Sequence, residues 1–478
     1  MRELLSNICD KLIQHDQASN VWKQQIYAAK LQNSTSLCHL FPNRAENTDL
    51  SPYIFIEKTK HLVITAILYY LSPTTLSEKS QLQNIIQHFY ENPYSSIPLC
   101  SLALASCLSL INNESPYPVV EESYSTIYPI DSEGRYNLEI AVLSLLLAII
   151  HKDNSECIRE FLYHSEQCLT LIDENYGPVF TLWVREKDFC FEDMLLQYFL
   201  IVCGLIYCNI QGVPKGLISS LQQEVIGLLS REKSETSAFT LALLLFCNNS
   251  LSDPITCSSS PLSKTKNPHV AISSSKDLLI AITTIGKNTG IGYIKRGKVI
   301  ITNLGPHFFP LGEMDHFGIF HHATWRQKSE NLSSEPFYIK SWISLPSTKL
   351  NKNHLEKFMK GDVEMELEIE KKESEIDLAI RLIGPLHSNK LAFTFFLQAS
   401  ELITGEAKLE PYSLNRYQGI NRPIRAIQEM DTITISPNFI GEMQIFSLAG
   451  KNYFWGSQFL IAYSLVDEDK CYHWDISY

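Results

Sequence analysis

A chain of 478 residues is too long for a single hydrophobic core and suits two or three domains. Its composition, 45% hydrophobic, 11% aromatic and 19% charged, excludes extended disorder. A formal net charge of −12 repels phosphate backbones and anionic surfaces, which argues against nucleic acid as a partner.

The chain opens Met1-Arg2-Glu3-Leu4-Leu5-Ser6-Asn7 with no apolar run, so no cleaved secretory leader is expected. The expected location is the cytoplasm, or outside the cell by a route that needs no such leader. The twelve cysteines lack regular spacing, and no C-x-x-C pair occurs. Free thiols buried as small hydrophobes follow.

Uninterrupted apolar blocks recur at His61–Leu71, Ile97–Ile111, Leu138–Ile150, Met194–Ile210 and Ala238–Cys247. Amphipathic stretches alternate with some of them, at Lys79–Tyr90, Ser155–Ile172 and Gly216–Arg231. In Ser155–Ile172 the residues Ile158, Phe161, Leu162, Cys168, Leu169 and Ile172 keep helical spacing. Fully buried helices backed by half-exposed ones predict stacked helical hairpins in an open toroid or irregular solenoid. The Met194–Ile210 block is uncharged, but it is near the minimum length for a membrane span and is broken by Gln197 and Asn209. A buried helix is the expectation.

Two loops of this half are rich in polar chemistry. Gly134-Arg135-Tyr136-Asn137 leads into the Leu138 helix, and Asn175-Tyr176-Gly177-Pro178 follows the Ser155 helix, with Trp183 and Arg185 behind it. Both also read as ordinary helix boundaries, a start and a stop.

Asn248–Pro268 is rich in Ser, Asn and Pro and reads as a linker. The expected organisation is therefore an all-α domain at 1–248, a linker at 249–270 and an antiparallel β-sandwich at 271–478. Eleven of the twelve cysteines precede or fall within the change of pattern, and only Cys471 follows it. Past the linker, Asp277–Ile285 is a strand, and Arg296-Gly297 turns a hairpin between Gly292–Lys295 and Lys298–Thr302. Val363–Glu370 alternates strictly: Val363, Met365, Leu367 and Ile369 on one face, four glutamates on the other. Ile376, Leu378, Ile380 and Leu382 resume the alternation after a turn at 371–374, giving an antiparallel hairpin with one dry face and one wet face. Further strands are expected at Tyr338–Leu345, Lys390–Gln398, Thr432–Ile435, Gly441–Ser447 and Gln458–Leu465.

Residues 305–325 concentrate His307, Glu313, Asp315, His316, His321, His322 and Trp325. Imidazole with carboxylate suits zinc, but a strand over 314–322 would put His316 and His322 on one face and His321 on the other. Structural or surface histidines are the expectation, His307 is placed in a loop, and no metal or cofactor is expected. Walker A, Gly-rich dinucleotide, His-Glu-x-x-His and Gly-x-Ser-x-Gly patterns are absent from the sequence.

A helical half followed by an antiparallel β half resembles the build of α/α-toroid polysaccharide lyases of the heparinase II/III-like and chondroitin-lyase-like kinds. The resemblance implies a cleft in which a base removes the proton beside a uronate carboxylate while fixed donors neutralise it. It implies Tyr176 or Tyr136 as the base, with His307 or His316 from the β side. Asn175, Asn137, Arg135 and Arg185 would bind substrate, and Trp183 would stack on a sugar ring. The partner would then be an acidic polysaccharide. The alternative is a non-enzymatic interaction or scaffold protein with a protein partner, which would show an exposed apolar or aromatic patch in place of a convergent polar cleft.

Overall fold

The computed structural model describes residues 2–15, 21–30, 52–73, 75–112, 138–169, 172–173, 177–178, 191–210, 212–213, 215–229, 236–251, 270–275, 277–283, 291–309, 326–350, 356–383, 390–413, 416–448, 456–465 and 470–478. Among them the chain forms two compact units, one of helices and one of strands, the second running from Asn267 to Tyr478.

The helical unit contains α1 (Arg2–His15), α2 (Val21–Lys30), α3 (Pro52–Leu71), α4 (Leu76–Tyr90), α5 (Pro98–Asn112), α6 (Leu138–Ile150), α7 (Ser155–Leu169), α8 (Phe191–Tyr207), α9 (Lys215–Leu229) and α10 (Ala238–Ser250). The apolar blocks become α3, α5, α6, α8 and α10. Every residue of α5 from Leu99 to Cys107 is buried, and so is every residue of α6 from Ile140 to Ile149. These five helices touch in a closed circuit, α3 to α5 to α6 to α8 to α10 and back to α3. Amphipathic helices back them: α4 packs on α5, α7 on α6, α9 on α8, and α1 on α10. α7 shows why. Cys157, Ile158, Phe161, Ser165 and Cys168 make its buried stripe, while Arg159 and Glu156 pair on the outside. Gly204 lets α8 approach closely, since a Cβ there would lie 2.4 Å from Leu145 Cδ1 and 2.8 Å from Phe161 Cζ.

Local chemistry sets several boundaries. The Thr75 hydroxyl accepts from the Glu78 N–H at the start of α4, and the Ser237 hydroxyl accepts from the Thr240 N–H at the start of α10. α7 stops at Leu169, three residues short of the sequence expectation. Ile172 and Asp173 instead pair with Pro178 and Gly177 in a small ladder, β1 (Ile172–Asp173) with β2 (Gly177–Pro178). The apolar stretch at 194–210 is α8 with a short turn after it, and every residue from Met194 to Leu205 is buried. Among the described residues no helix is long and apolar enough to cross a membrane.

The β unit holds two antiparallel sheets. One has nine strands, in the order β13-β12-β15-β16-β19-β10-β9-β8-β7. These are β7 (Arg326–Ser334), β8 (Phe337–Leu350), β9 (Glu356–Lys371), β10 (Glu375–Ile383), β12 (Glu401–Thr404), β13 (Ala407–Leu409), β15 (Ile424–Gln428), β16 (Asp431–Pro437) and β19 (Cys471–Ser477). The other has eight, in the order β14-β17-β18-β11-β6-β5-β4-β3. These are β3 (Val270–Ser275), β4 (Leu278–Thr283), β5 (Gly292–Arg296), β6 (Val299–Phe309), β11 (Lys390–Gln398), β14 (Arg416–Ile420), β17 (Glu442–Ser447) and β18 (Phe459–Leu465).

One hydrophobic core draws on both sheets: Met365, Leu367, Ile369 and Trp474 from the first, and Ile280, Ile301, Phe393 and Tyr463 from the second. In the nine-stranded sheet the β9–β10 hairpin behaves as its alternation requires, with Leu367 opposite Ile380 inside and Glu366 opposite Arg381 outside. The eight-stranded sheet differs. β4 and β18 are buried at every position, so both their faces are covered.

The β5–β6 turn lies one residue later than expected, with Arg296 opposite Val299 and Gly297-Lys298 between them. It meets the β15–β16 turn of the other sheet. The Lys298 N–H donates to Asp431 Oδ2 at 2.8 Å, and its ammonium holds Glu429 at 2.6 Å. Gly297 takes φ +53°, and a Cβ there would lie 2.2 Å from Asp431 Oδ2. Gly297→Ala is therefore expected to cost roughly 2 kcal/mol, from the left-handed backbone and the displaced carboxylate together. Urea denaturation checks this, and a midpoint equal to that of the parent protein would contradict it.

Candidate functional site

At one end of the helical unit the first turns of α6, α8 and α10 bring polar groups together. Lys60 of α3 bonds Glu139 of α6 at 2.7 Å and Glu57 at 3.3 Å, and its ammonium lies 5.8 Å from the Phe239 ring centroid. Burial pulls the Lys60 pKa down, but the Glu139 and Glu57 charges more than offset it, and the net shift is upward. Asp193 of α8 accepts from the Ser237 N–H at 2.8 Å, Thr236 donates to Glu192 at 3.5 Å, and Gln197 donates to Thr240 at 3.2 Å. Burial raises the Asp193 carboxyl above its usual range, opposed by donors from Ser237 and Thr240 and reinforced by the Glu139 charge. Acidic side chains suit helix N-termini, so the grouping has a structural cause. Glu57 and Glu139 hold the Lys60 ammonium, while Glu192 and Asp193 hold the segment before α10, and these five residues carry a formal charge of −3 between them.

In sequence the 134–137 loop immediately precedes α6, and the 175–185 stretch precedes α8. Arg135, Tyr136, Asn137, Asn175, Tyr176, Trp183, Arg185 and His316 lie outside the described residues, as do Glu313, Asp315, His321, His322 and Trp325. His307 corrects an expectation. It belongs to strand β6, opposite Ala392 of β11, and not to a loop. The reason is the length of β11, whose register with β6 continues to Lys390 opposite Phe309. Pro306 is tolerated there because, among the described residues, β5 pairs with β6 only as far as Ile301.

The outer face of the nine-stranded sheet is a second grouping. Along β8, Phe337, Ile339, Ser341 and Ile343 point into the core, so Tyr338, Lys340, Trp342 and Ser344 point outward, and each is partly exposed. Register sets them against the glutamates of β9: Tyr338 opposite Glu370, Lys340 opposite Glu368, Trp342 opposite Glu366 and Ser344 opposite Glu364. The two aromatic residues are four apart on one strand, about 13 Å. Their polar tips are fixed. The Tyr338 hydroxyl donates to Glu368 and the Trp342 indole N–H to Glu330. The hydrogen bond to Glu368 raises the Tyr338 pKa. Lys340 lies between the rings and binds Glu366 at 2.6 Å. Among the described side chains of β7, β8 and β9 on this face, five carboxylates (Glu330, Glu364, Glu366, Glu368 and Glu370) accompany one cation, Lys340, a balance of −4 among these residues. The sequence reading identified this face as wet but did not single out its rings. The available signal was the inverted pattern of β8, with Tyr and Trp on the polar side of the alternation.

Among the described residues, one group of three metal-ligand side chains comes together, Asp377, His473 and Asp475. The cysteine expectation is met for those described. Eight of the nine are buried, Cys471 is exposed, and all are free thiols. Burial pushes Cys9, Cys100, Cys168 and Cys203 up to about 12, which makes them poor nucleophiles.

No family model matches the chain, and no curated protein matches it. A solved structure that it resembles is the crystal structure of 4-alpha-glucanotransferase from Thermococcus litoralis, with a TM-score of 0.29 and 9% identity over 44% of this chain. The match spans 37% of that protein, and the likeness is too slight to bear on fold or function.

Proposed function

We propose that this is a non-catalytic glycan-binding protein of lyase-like build, an α/α toroid joined to a β-sandwich, which binds through the outer face of its nine-stranded sheet. The closed circuit of α3, α5, α6, α8 and α10 supports the toroid, and the core common to both sheets supports the sandwich. The observation that carries the binding reading is the pair Tyr338 and Trp342 on the wet face of β8. A ring face stacks on the C–H side of a sugar, and neighbouring carboxylates accept from its hydroxyls in charge-assisted hydrogen bonds. Because Glu368 and Glu330 hold the two tips, little side-chain freedom is lost on binding.

The charge of the face decides the class of glycan. The row of carboxylates beside the two rings repels uronates and sulfates, so the ligand is an uncharged polysaccharide and not the acidic one that the lyase resemblance implies. The described polar end of the helical unit is acidic as well, a poor host for the carboxylate that a lyase must neutralise. Incubation with polygalacturonate and chondroitin is expected to give no new absorbance near about 235 nm, the signature of an unsaturated uronate product. A steady rise in that absorbance would replace the binding reading with the lyase reading.

A further inference from the structure

We propose that the Tyr338 and Trp342 face takes one extended, β-linked polysaccharide chain laid along its length, and not a short sugar. The proposal rests on the glycan-binding reading and adds the form of the ligand. The two side chains leave one face of β8 four residues apart, about 13 Å. One aromatic face covers one sugar ring. A mono- or disaccharide seated on one of these rings does not reach the other, so only a longer chain uses both.

The ring tips are held on opposite sides of β8. Glu368, which accepts from the Tyr338 hydroxyl, belongs to β9, and Glu330, which accepts from the Trp342 indole, belongs to β7. A β-bulge supplies the second contact: the β7–β8 register shifts between Ser329 and Asn331, and Glu330 is the extra residue. Both carboxylates lie toward the row of Lys340, since Glu368 stands opposite Lys340 on β9 and Asn331 stands opposite it on β7. The tips are thus drawn together along the strand and apart across it, and the line between the rings crosses β8 obliquely over Lys340. The Lys340 ammonium binds Glu366 at 2.6 Å and lies 4.0 Å from Glu330. Hydroxyls of the unit that bridges the rings therefore meet an ammonium to accept from and carboxylates to donate to.

Shape narrows the linkage. Both rings stand on one face of one sheet, so the ligand must turn two of its ring faces the same way while running straight between them. Chains joined through equatorial bonds at both ends of each pyranose are extended ribbons that do this. Chains with an axial linkage coil and turn successive faces in different directions. With acidic polymers repelled by the glutamate row, the ligand class is a neutral β-linked glucan, mannan or xylan.

The test is calorimetry on the full chain with β-linked gluco-, manno- and xylo-oligosaccharides from the disaccharide to the hexasaccharide, beside an α-linked glucose hexasaccharide. In the preferred β-linked series, affinity is expected to rise by about 10-fold or more from the disaccharide to the hexasaccharide, the gain of a second stacked ring. The α-linked hexasaccharide should bind at least about 10-fold more weakly than the preferred β-linked one. Tyr338→Ala should abolish the dependence on length, and the length series on the parent chain decides the matter even if that variant fails to fold. A disaccharide that binds as tightly as the hexasaccharide, or an α-linked chain that binds as tightly as a β-linked one, overturns this proposal and leaves the glycan-binding reading standing. Absence of binding to every hexasaccharide also overturns it, and absence of binding to the parent polymers as well overturns the reading beneath it.

Discussion

Trp474→Ala is expected to cost about 3–5 kcal/mol, the largest single loss in the β unit. Trp474 is wholly buried on β19, a central strand between β16 and β10. Its ring stacks on Phe393 at 5.0 Å and meets Phe439 at 5.1 Å, Tyr463 at 5.7 Å and Phe395 at 6.1 Å. These partners come from β11, β18 and the segment after β16, so the indole ties the two sheets together. Truncation opens a cavity that four rings cannot collapse into without leaving their rotamers. The indole Nε1 has no hydrogen-bond partner, so Trp474→Phe removes an unsatisfied donor along with some volume. That variant should cost less than about 1.5 kcal/mol. Denaturant midpoints of the two variants check the pair, and an Ala variant no weaker than the Phe variant would contradict it.

Acid should destabilise the helical unit through His164. This residue is buried on α7, with its ring at the edge of Tyr163, and burial lowers its pKa from 6.5 to about 4. A depressed folded-state pKa means that the contribution is complete above the unfolded value and is lost as pH falls toward the folded one. The window is therefore pH 6.5 down to about 4. The size follows from the shift at 1.36 kcal/mol per pH unit, roughly 3 kcal/mol. Urea unfolding at pH 7, 5.5 and 4.5 measures the slope, and His164→Gln should flatten it. An unchanged slope in that variant would assign the acid sensitivity to other groups.

Much of the architecture was legible in the residues, for identifiable reasons. Long apolar blocks gave α3, α5, α6, α8 and α10, because a helix covered on all sides has no polar stripe to interrupt it. The β9–β10 hairpin was legible because Met365, Leu367 and Ile369 alternate with glutamates without a break. The first helix was not read, although Leu5, Ile8, Cys9, Leu12 and Ile13 keep helical spacing and are all buried. Short strands escaped too. β14 has five residues and no buried row, since its side chains are only exposed or half-exposed. β19 was not among the expected strands, despite the alternation of Tyr472, Trp474 and Ile476.

The candidate sites were less legible than the fold. Tyr338 and Trp342 lay inside an expected strand, but which side of it faces water depends on the core that β8 packs against. The His307 segment misled for the opposite reason. Its chemical richness is local in sequence, whereas Gly305 and Pro306, which look like loop formers, sit in a paired strand opposite Thr394 and Phe393.

The central claim is that the Tyr338 and Trp342 face binds an uncharged glycan. Its most direct test is calorimetric titration of the full chain and of Trp342→Ala with soluble glucan, mannan and xylan, beside polygalacturonate. The account predicts that at least one uncharged polymer binds and that polygalacturonate does not. It predicts that Trp342→Ala weakens the binding by about 10-fold, the loss of one stacked ring. Absence of binding to every uncharged polymer, or an alanine variant that binds as tightly as the parent chain, would contradict it.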